Sequence, residues 1–208
     1  VSSLAVTSPR IVLADRLGAH NVLTNVAFIL GGAILTAAVA QVKIPMWPVP
    51  LTGATFAVLL VGTSLGMWRG LASMLTYVAM GAVGLPVFAD FHGGLDSLTS
   101  GPTVGYIFGF ILAGALTGWM AQRGLDRSVW GAISIFLAGE VVIYAVGLPW
   151  LAMFLKNAGY EHDLSATLSA GLYPFIIGDI IKAGLAGALL PATWKLANRR
   201  QRESESRA

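Results

Sequence analysis

The chain has no cysteine. That excludes a disulfide framework, a cysteine-held iron–sulfur cluster and a thiol nucleophile, and it leaves the redox compartment unspecified. Charge is also scarce: Asp, Glu, Lys and Arg together make 11% of the 208 residues, against about a quarter in a soluble globular domain. Histidine occurs three times, as His20, His92 and His162, never inside an uncharged apolar run. A histidine metal site would have to be assembled from loops, and none is expected. No GxxxxGK[ST] string is present to cradle nucleotide phosphates, so ATP-driven work would fall to another chain. Nor is there a fixed-period repeat of the kind that builds two-halves transporters.

What is there in quantity is apolar sequence, with a mean hydropathy of +0.74. A helix needs about 20 residues to cross a hydrocarbon core of about 30 Å, so six crossings use most of the chain and leave no room for a second, soluble domain. Because a charge at the bilayer centre is costly, the uncharged stretches mark the spans: residues 24–41, 52–66, 70–85, 103–122, 129–147 and 170–195. The second is short because Pro45, Pro48 and Pro50 bar a helix before it. The fifth contains Glu140 and the sixth contains Asp179 and Lys182, the three ionisable acid or base groups placed at membrane depth.

Lysine and arginine in alternate loops set the orientation, since cytoplasmic loops carry the excess. One side holds Arg10, Arg16, Arg69, Arg123, Arg127, Lys195, Arg199, Arg200, Arg202 and Arg207; the other holds only Lys43 and Lys156. The expectation is an all-α integral membrane protein, a bundle of six transmembrane helices with both termini cytoplasmic. Residues 1–21 form a cytoplasmic N-terminal segment without the pattern of a cleaved signal peptide. Residues 22–196 form the membrane domain, and residues 197–208 a basic tail near anionic headgroups. The net charge of +3 is thereby a topology signal and not a nucleic-acid patch.

Asp179 and Lys182 stand three apart in GDIIKA, on one helix face and able to pair. They read either as a self-neutralising ion pair or, as intramembrane charges usually do, as the lining of a site. Glu140 reads as a third member of that site, as a proton-carrying group, or as a carboxyl satisfied locally. In the first span Gly32, Thr36 and Ala40 fall four apart, as do Ala33 and Ala37. Small residues at that spacing admit a close helix, from the same bundle or from a partner. The string Gly62-Thr63-Ser64-Leu65-Gly66 fits a nucleophile elbow, but that motif needs a preceding strand and a histidine–acid pair, which an apolar helix does not supply.

Taken in order along residues 40–188, the motifs resemble those of the BioY family, the biotin-specific substrate-capture subunits of energy-coupling-factor transporters. They comprise Gln41, Ile44–Pro45 and Val49–Pro50–Leu51–Thr52; Tyr77, Gly81 and Gly84–Leu85–Pro86–Val87–Phe88; and Gly93–Gly94, Gly101–Pro102–Thr103, Gly105–Tyr106 and Gly109–Phe110. Tyr144–Ala145–Val146–Gly147, Trp150–Leu151, Pro174–Phe175, Gly178–Asp179 and Lys182–Ala183 complete them. The resemblance implies a multi-pass protein of a bacterial cytoplasmic (inner) membrane that is not an enzyme and carries no cofactor. Its six helices would hold biotin near the external surface beneath a loop at residues 42–50, whose Trp47 would meet the ligand's ring system.

By the same resemblance, Asp179 and Lys182 would engage the ligand's polar groups and Tyr106 would lie in the site. Phe88, Tyr144 and Thr52 would add to its walls. Asp179 would accept a ureido N–H and Lys182 donate to the ureido oxygen; the reverse pose, with Lys182 on the valerate carboxylate, stays open. Ala33 and Ala37 would face a transmembrane coupling subunit that engages two cytoplasmic ATPases, the only users of ATP, although some members act without dedicated partners, alone or as an oligomer. One position departs from the family: Ala54 stands where members commonly carry glutamine, so no polar ligand contact is assigned there. The rival readings are capture of another vitamin, a membrane enzyme using Ser64 or Glu140, and a purely structural assembly subunit.

Overall fold

The structure is a computed structural model that describes residues 11–16, 18 and 21–205. Most of the expected N-terminal segment, with Arg10 and His20, lies outside the described residues, as does Arg207. In chain order the elements are α1 (Leu13–Arg16), α2 (Val22–Ala40), the hairpin strands β1 (Lys43–Ile44) and β2 (Leu51–Thr52), α3 (Ala54–Leu65) and α4 (Met67–Ala82). Then follow α5 (Asp96–Thr99), α6 (Val104–Ala121), α7 (Val129–Asn157), α8 (Leu164–Gly171) and α9 (Ile176–Glu205).

Local chemistry sets these boundaries. Asn21 caps α2, its Oδ1 accepting from Thr24 N at 2.8 Å while the Thr24 hydroxyl reaches back to Asn21, a reciprocal arrangement that satisfies N-terminal donors. Ser128 caps α7 in the same sense, accepting from Gly131 N at 3.1 Å. Between α3 and α4 the chain reverses at Gly66, whose φ of 84° is open to glycine and strained for other residues.

By length and composition α2, α6, α7 and α9 through Arg199 can cross a membrane, whereas α3 is a shorter apolar helix of 12 residues and α4 has 16. At the centre α6 packs against α3, α4 and α7. Glycines make the crossings close: a Cβ on Gly62 would strike Thr117 and the Gly114 carbonyl, and one on Gly118 the Gly66–Met67 backbone. Backbone-to-backbone approach of this kind replaces the hydrophobic drive that lipid does not provide. On one flank α2 lies on α3 and α4, with Ser73 Oγ donating to Ile29 O at 2.9 Å.

On the other flank α9 lies along α7. Its far end is held by Trp194, whose Nε1 donates to Asp126 at 2.5 Å, while the Arg127 guanidinium sits 4.7 Å from the same ring. Asp126 is fully buried, and this burial raises its pKa despite the indole N–H and the neighbouring arginine. At this same end α1 tucks Val12, Leu13 and Ala14 out of solvent and pairs Asp15 with Arg69 at 2.7 Å.

Two expected boundaries move. The fifth helix was expected to end at residue 147, but α7 runs on through Pro149 to Asn157. One proline removes a single backbone donor, and Leu151 and Leu155 beyond it are buried and hold the helix in the bundle. The sixth span was expected from residue 170; instead α8 ends at Gly171, the chain turns, and α9 starts at Ile176. The break sits where Gly171 passes so close to Tyr106 and Leu151 that a Cβ there would clash with both.

A polar floor in an aromatic cavity

At the end of the bundle that carries the β-hairpin, a cavity of about 540 Å³ opens, well within the range of small-molecule sites. Its floor is polar. Lys182 Nζ donates to Thr55 Oγ1 at 2.7 Å and to Asp179 Oδ1 at 3.1 Å, and the Tyr144 hydroxyl donates to Asp179 Oδ2. Three elements thus converge: α9 brings the ion pair in its first two turns, α3 the threonine in its first turn, and α7 the tyrosine. Asp179 is only 7% exposed. The pair is net neutral and presents a carboxylate acceptor beside ammonium, hydroxyl and phenol groups.

The walls are aromatic and apolar. Tyr106 meets Tyr144 edge-on with ring centres 6.3 Å apart, and its hydroxyl donates to Gly171 O at 2.9 Å. Phe88 meets Tyr77 edge-on at 5.4 Å. Phe88 fits only because residue 81 is glycine: a Cβ there would overlap its ring. Phe110, Ile143 and Phe175 complete the walls.

Over the mouth lies the β1–β2 hairpin, which contributes Pro45, Met46, Pro48 and Pro50 to the lining. It is tied to the segment after α4. Gln41 Nε2 donates to Phe88 O at 3.0 Å, its Oε1 accepts from Phe91 N at 3.1 Å, and Lys43 pairs with Asp90. Asp90 and Phe91 have φ of 63° and 56°, a left-handed backbone unusual outside glycine, and both lie in this tied segment.

Of the residues singled out from sequence, Asp179, Lys182, Tyr106, Phe88, Tyr144 and Thr52 line the one cavity. Trp47 does not: it is 65% exposed and rests edge-on against Tyr160, ring centres 4.7 Å apart. Ala33 is fully buried within its own bundle and Ala37 is half-buried. Glu140 is buried behind the floor, one helical turn before Tyr144, and neither carboxyl oxygen has a hydrogen-bond partner among the described residues. Ser64 lies in the last turn of α3, at the opposite end from Thr55. Among the described residues no cluster of three or more His, Asp or Glu side chains is placed to hold a metal.

Sequence reasoning missed Thr55 and Gln41 as parts of the site. The signal for Thr55 was its place in the first turn of an apolar helix, one residue past Ala54. Which charge it would face depends on how α3 and α9 stand in space.

A family model for the BioY family matches residues 11–199. A protein of Thermotoga maritima described as biotin transporter BioY is 41% identical over 150 residues, which cover 72% of this chain and 83% of that one. A Rhodobacter capsulatus protein of the same description is 36% identical over 67% of this chain and 75% of its own length. The fold is that of a solved S-component for biotin from an ECF-type ABC transporter, with a TM-score of 0.69 at 23% identity over 83% of this chain and 92% of that one. With the match running from α1 to the far end of α9, the chain belongs to the BioY family.

Proposed function

We propose that this protein captures biotin at the outer face of a bacterial cytoplasmic membrane and delivers it inward. The observation that carries this reading is the neutral floor made by Asp179, Lys182, Thr55 and Tyr144 beneath aromatic walls. Biotin's ureido ring has two N–H donors and one carbonyl acceptor. Asp179 accepts a ureido N–H, Lys182 donates to the ureido oxygen, and the fused rings lie against Tyr106, Phe88 and Tyr144, with Thr52 at the wall beneath the hairpin. Trp47 then acts on the outer surface of the hairpin, through Tyr160, and not on the ligand.

The topology that goes with this function has six crossings, by α2, α3, α4, α6, α7 and α9, and cytoplasmic termini. Residues 22–196 form the binding domain, and the basic residues after Trp194 lie at the cytoplasmic surface. The chain uses no cofactor of its own. Energy comes from a transmembrane coupling subunit and two cytoplasmic ATPases, with a self-sufficient oligomer as the other form of the same function. The side of α2 bordered by Ala37, where Leu30, Ile34 and Leu35 are exposed, is offered to the coupling subunit; Ala33 lies inward of it.

Equilibrium binding of tritiated biotin to the detergent-solubilised protein tests the reading. Wild type binds, thiamine and riboflavin do not compete, and Asp179→Asn and Lys182→Ala each lose binding. Each variant removes a charged hydrogen-bond partner of the ureido ring, worth about 1.5–3 kcal/mol, or about one to two orders of magnitude in affinity. A folded wild type that ignores biotin overturns the assignment.

A further inference from the structure

The ionisable lining of the cavity is acidic. Besides the tyrosines it comprises Asp90, His92, Asp96, Asp179 and Lys182. Lys182 is committed to Asp179 and Thr55 at the floor. At the rim Lys43 lies outside the lining and is committed to Asp90. Asp96 is exposed, flanked in the lining by Ser97 and Ser100, and has no ion-pair partner among the described residues. His92 lies with Nδ1 3.1 Å from Ala89 O; the tautomer that donates there leaves Nε2 as a further acceptor.

A free carboxylate on the ligand is therefore poorly served at either end. On the floor it meets Lys182 with Asp179 3.1 Å from the ammonium, so the attraction is already answered. At the rim it meets Asp96 among neutral hydroxyl groups, with no lysine or arginine in the lining there to pair with it. A neutral head suits the floor, and a tail that donates hydrogen bonds or carries positive charge suits the rim.

We infer that the preferred cargo is biotin whose valerate carboxyl is joined as an amide to an amine, with Asp96 as the specificity-determining residue at the rim. This rests on the biotin reading above, with the ureido ring on the floor. Amides of this class arise wherever biotin attached to lysine side chains is released by proteolysis, so the reaction supplying them is peptide hydrolysis. A hydrolase acting on the amide would yield free biotin after uptake.

Competition against tritiated biotin tests the inference with three probes: unlabelled biotin, its primary amide, and its aminoethyl amide, which ends in an ammonium. At low salt the aminoethyl amide competes about threefold better than free biotin, the scale of one exposed charge contact, and the primary amide falls between. The gap closes in Asp96→Asn and at high salt, where exposed charges are screened. Amides that compete no better than the free acid overturn the inference while leaving the biotin assignment standing, as does a preference that survives Asp96→Asn. Absence of any tritiated biotin binding removes the biotin assignment, and the inference with it.

Discussion

Thr55 completes the coordination of Lys182, at 2.7 Å the closest contact its ammonium makes. Replacing it by valine keeps the shape and removes the acceptor. A hydrogen bond to a charged group is worth about 1.5–3 kcal/mol of fold stability, so Thr55→Val lowers the unfolding midpoint and, by loosening Lys182, weakens biotin binding by less than Lys182→Ala does in the same equilibrium assay. Glu140 presents the opposite case, a buried carboxyl neither of whose oxygens has a hydrogen-bond partner among the described residues. Burial without compensation is unfavourable, so Glu140→Leu raises the midpoint of thermal unfolding in detergent. A lower midpoint would mean that the carboxyl is satisfied by a group such as bound water. Asp126 carries a pH signature, because burial lifts its pKa above that of the unfolded chain. A raised folded pKa gives stability that is present below the unfolded value and lost as pH rises through the folded one. Asp126→Asn keeps an acceptor for Trp194 and removes that loss, so the variant's advantage in unfolding midpoint grows as pH rises from the ordinary aspartate range.

At the scale of elements, the hairpin is held over the cavity by Gln41 and Lys43, not by its own two short strands. Gln41→Ala removes two ties to the segment after α4. Its expected effect is faster biotin dissociation with a smaller change in association, read by chase of the tritiated ligand. The helices themselves were largely legible in the sequence, because charges punctuate the apolar runs. Residues 24–41 were expected and Val22–Ala40 is found; residues 103–122 were expected and Val104–Ala121 is found. Less legible was the break before α9, since an uncharged run continues through Gly171 and Leu172; Pro174, which has no backbone N–H to donate, stands between α8 and α9 and bars one continuous helix. The end of α7 was placed too early, at residue 147, because packing of Leu151 and Leu155 carries the helix on past Pro149. Asp179 and Lys182 were legible because charge in an apolar run is conspicuous. Thr55 was not, because a threonine acquires meaning only from what stands opposite, and Trp47 drew attention by type although it turns outward to Tyr160.

For the whole molecule, the absence of native cysteine makes single-cysteine labelling free of background. With six crossings, Ser100→Cys and Glu161→Cys react with an impermeant maleimide added outside intact cells, whereas Leu125→Cys and Asn198→Cys react only after the membrane is opened. Labelling of all four from one side would refute the topology. The binding cavity lies at one end, and beyond it α3, α4 and α6 meet where Gly62, Gly70, Gly114 and Gly118 leave no room for even a methyl group. The expectation from that seam is electrical insulation. With or without cargo it conducts no ions across a planar bilayer, so a cell can hold many copies while its membrane potential stays intact.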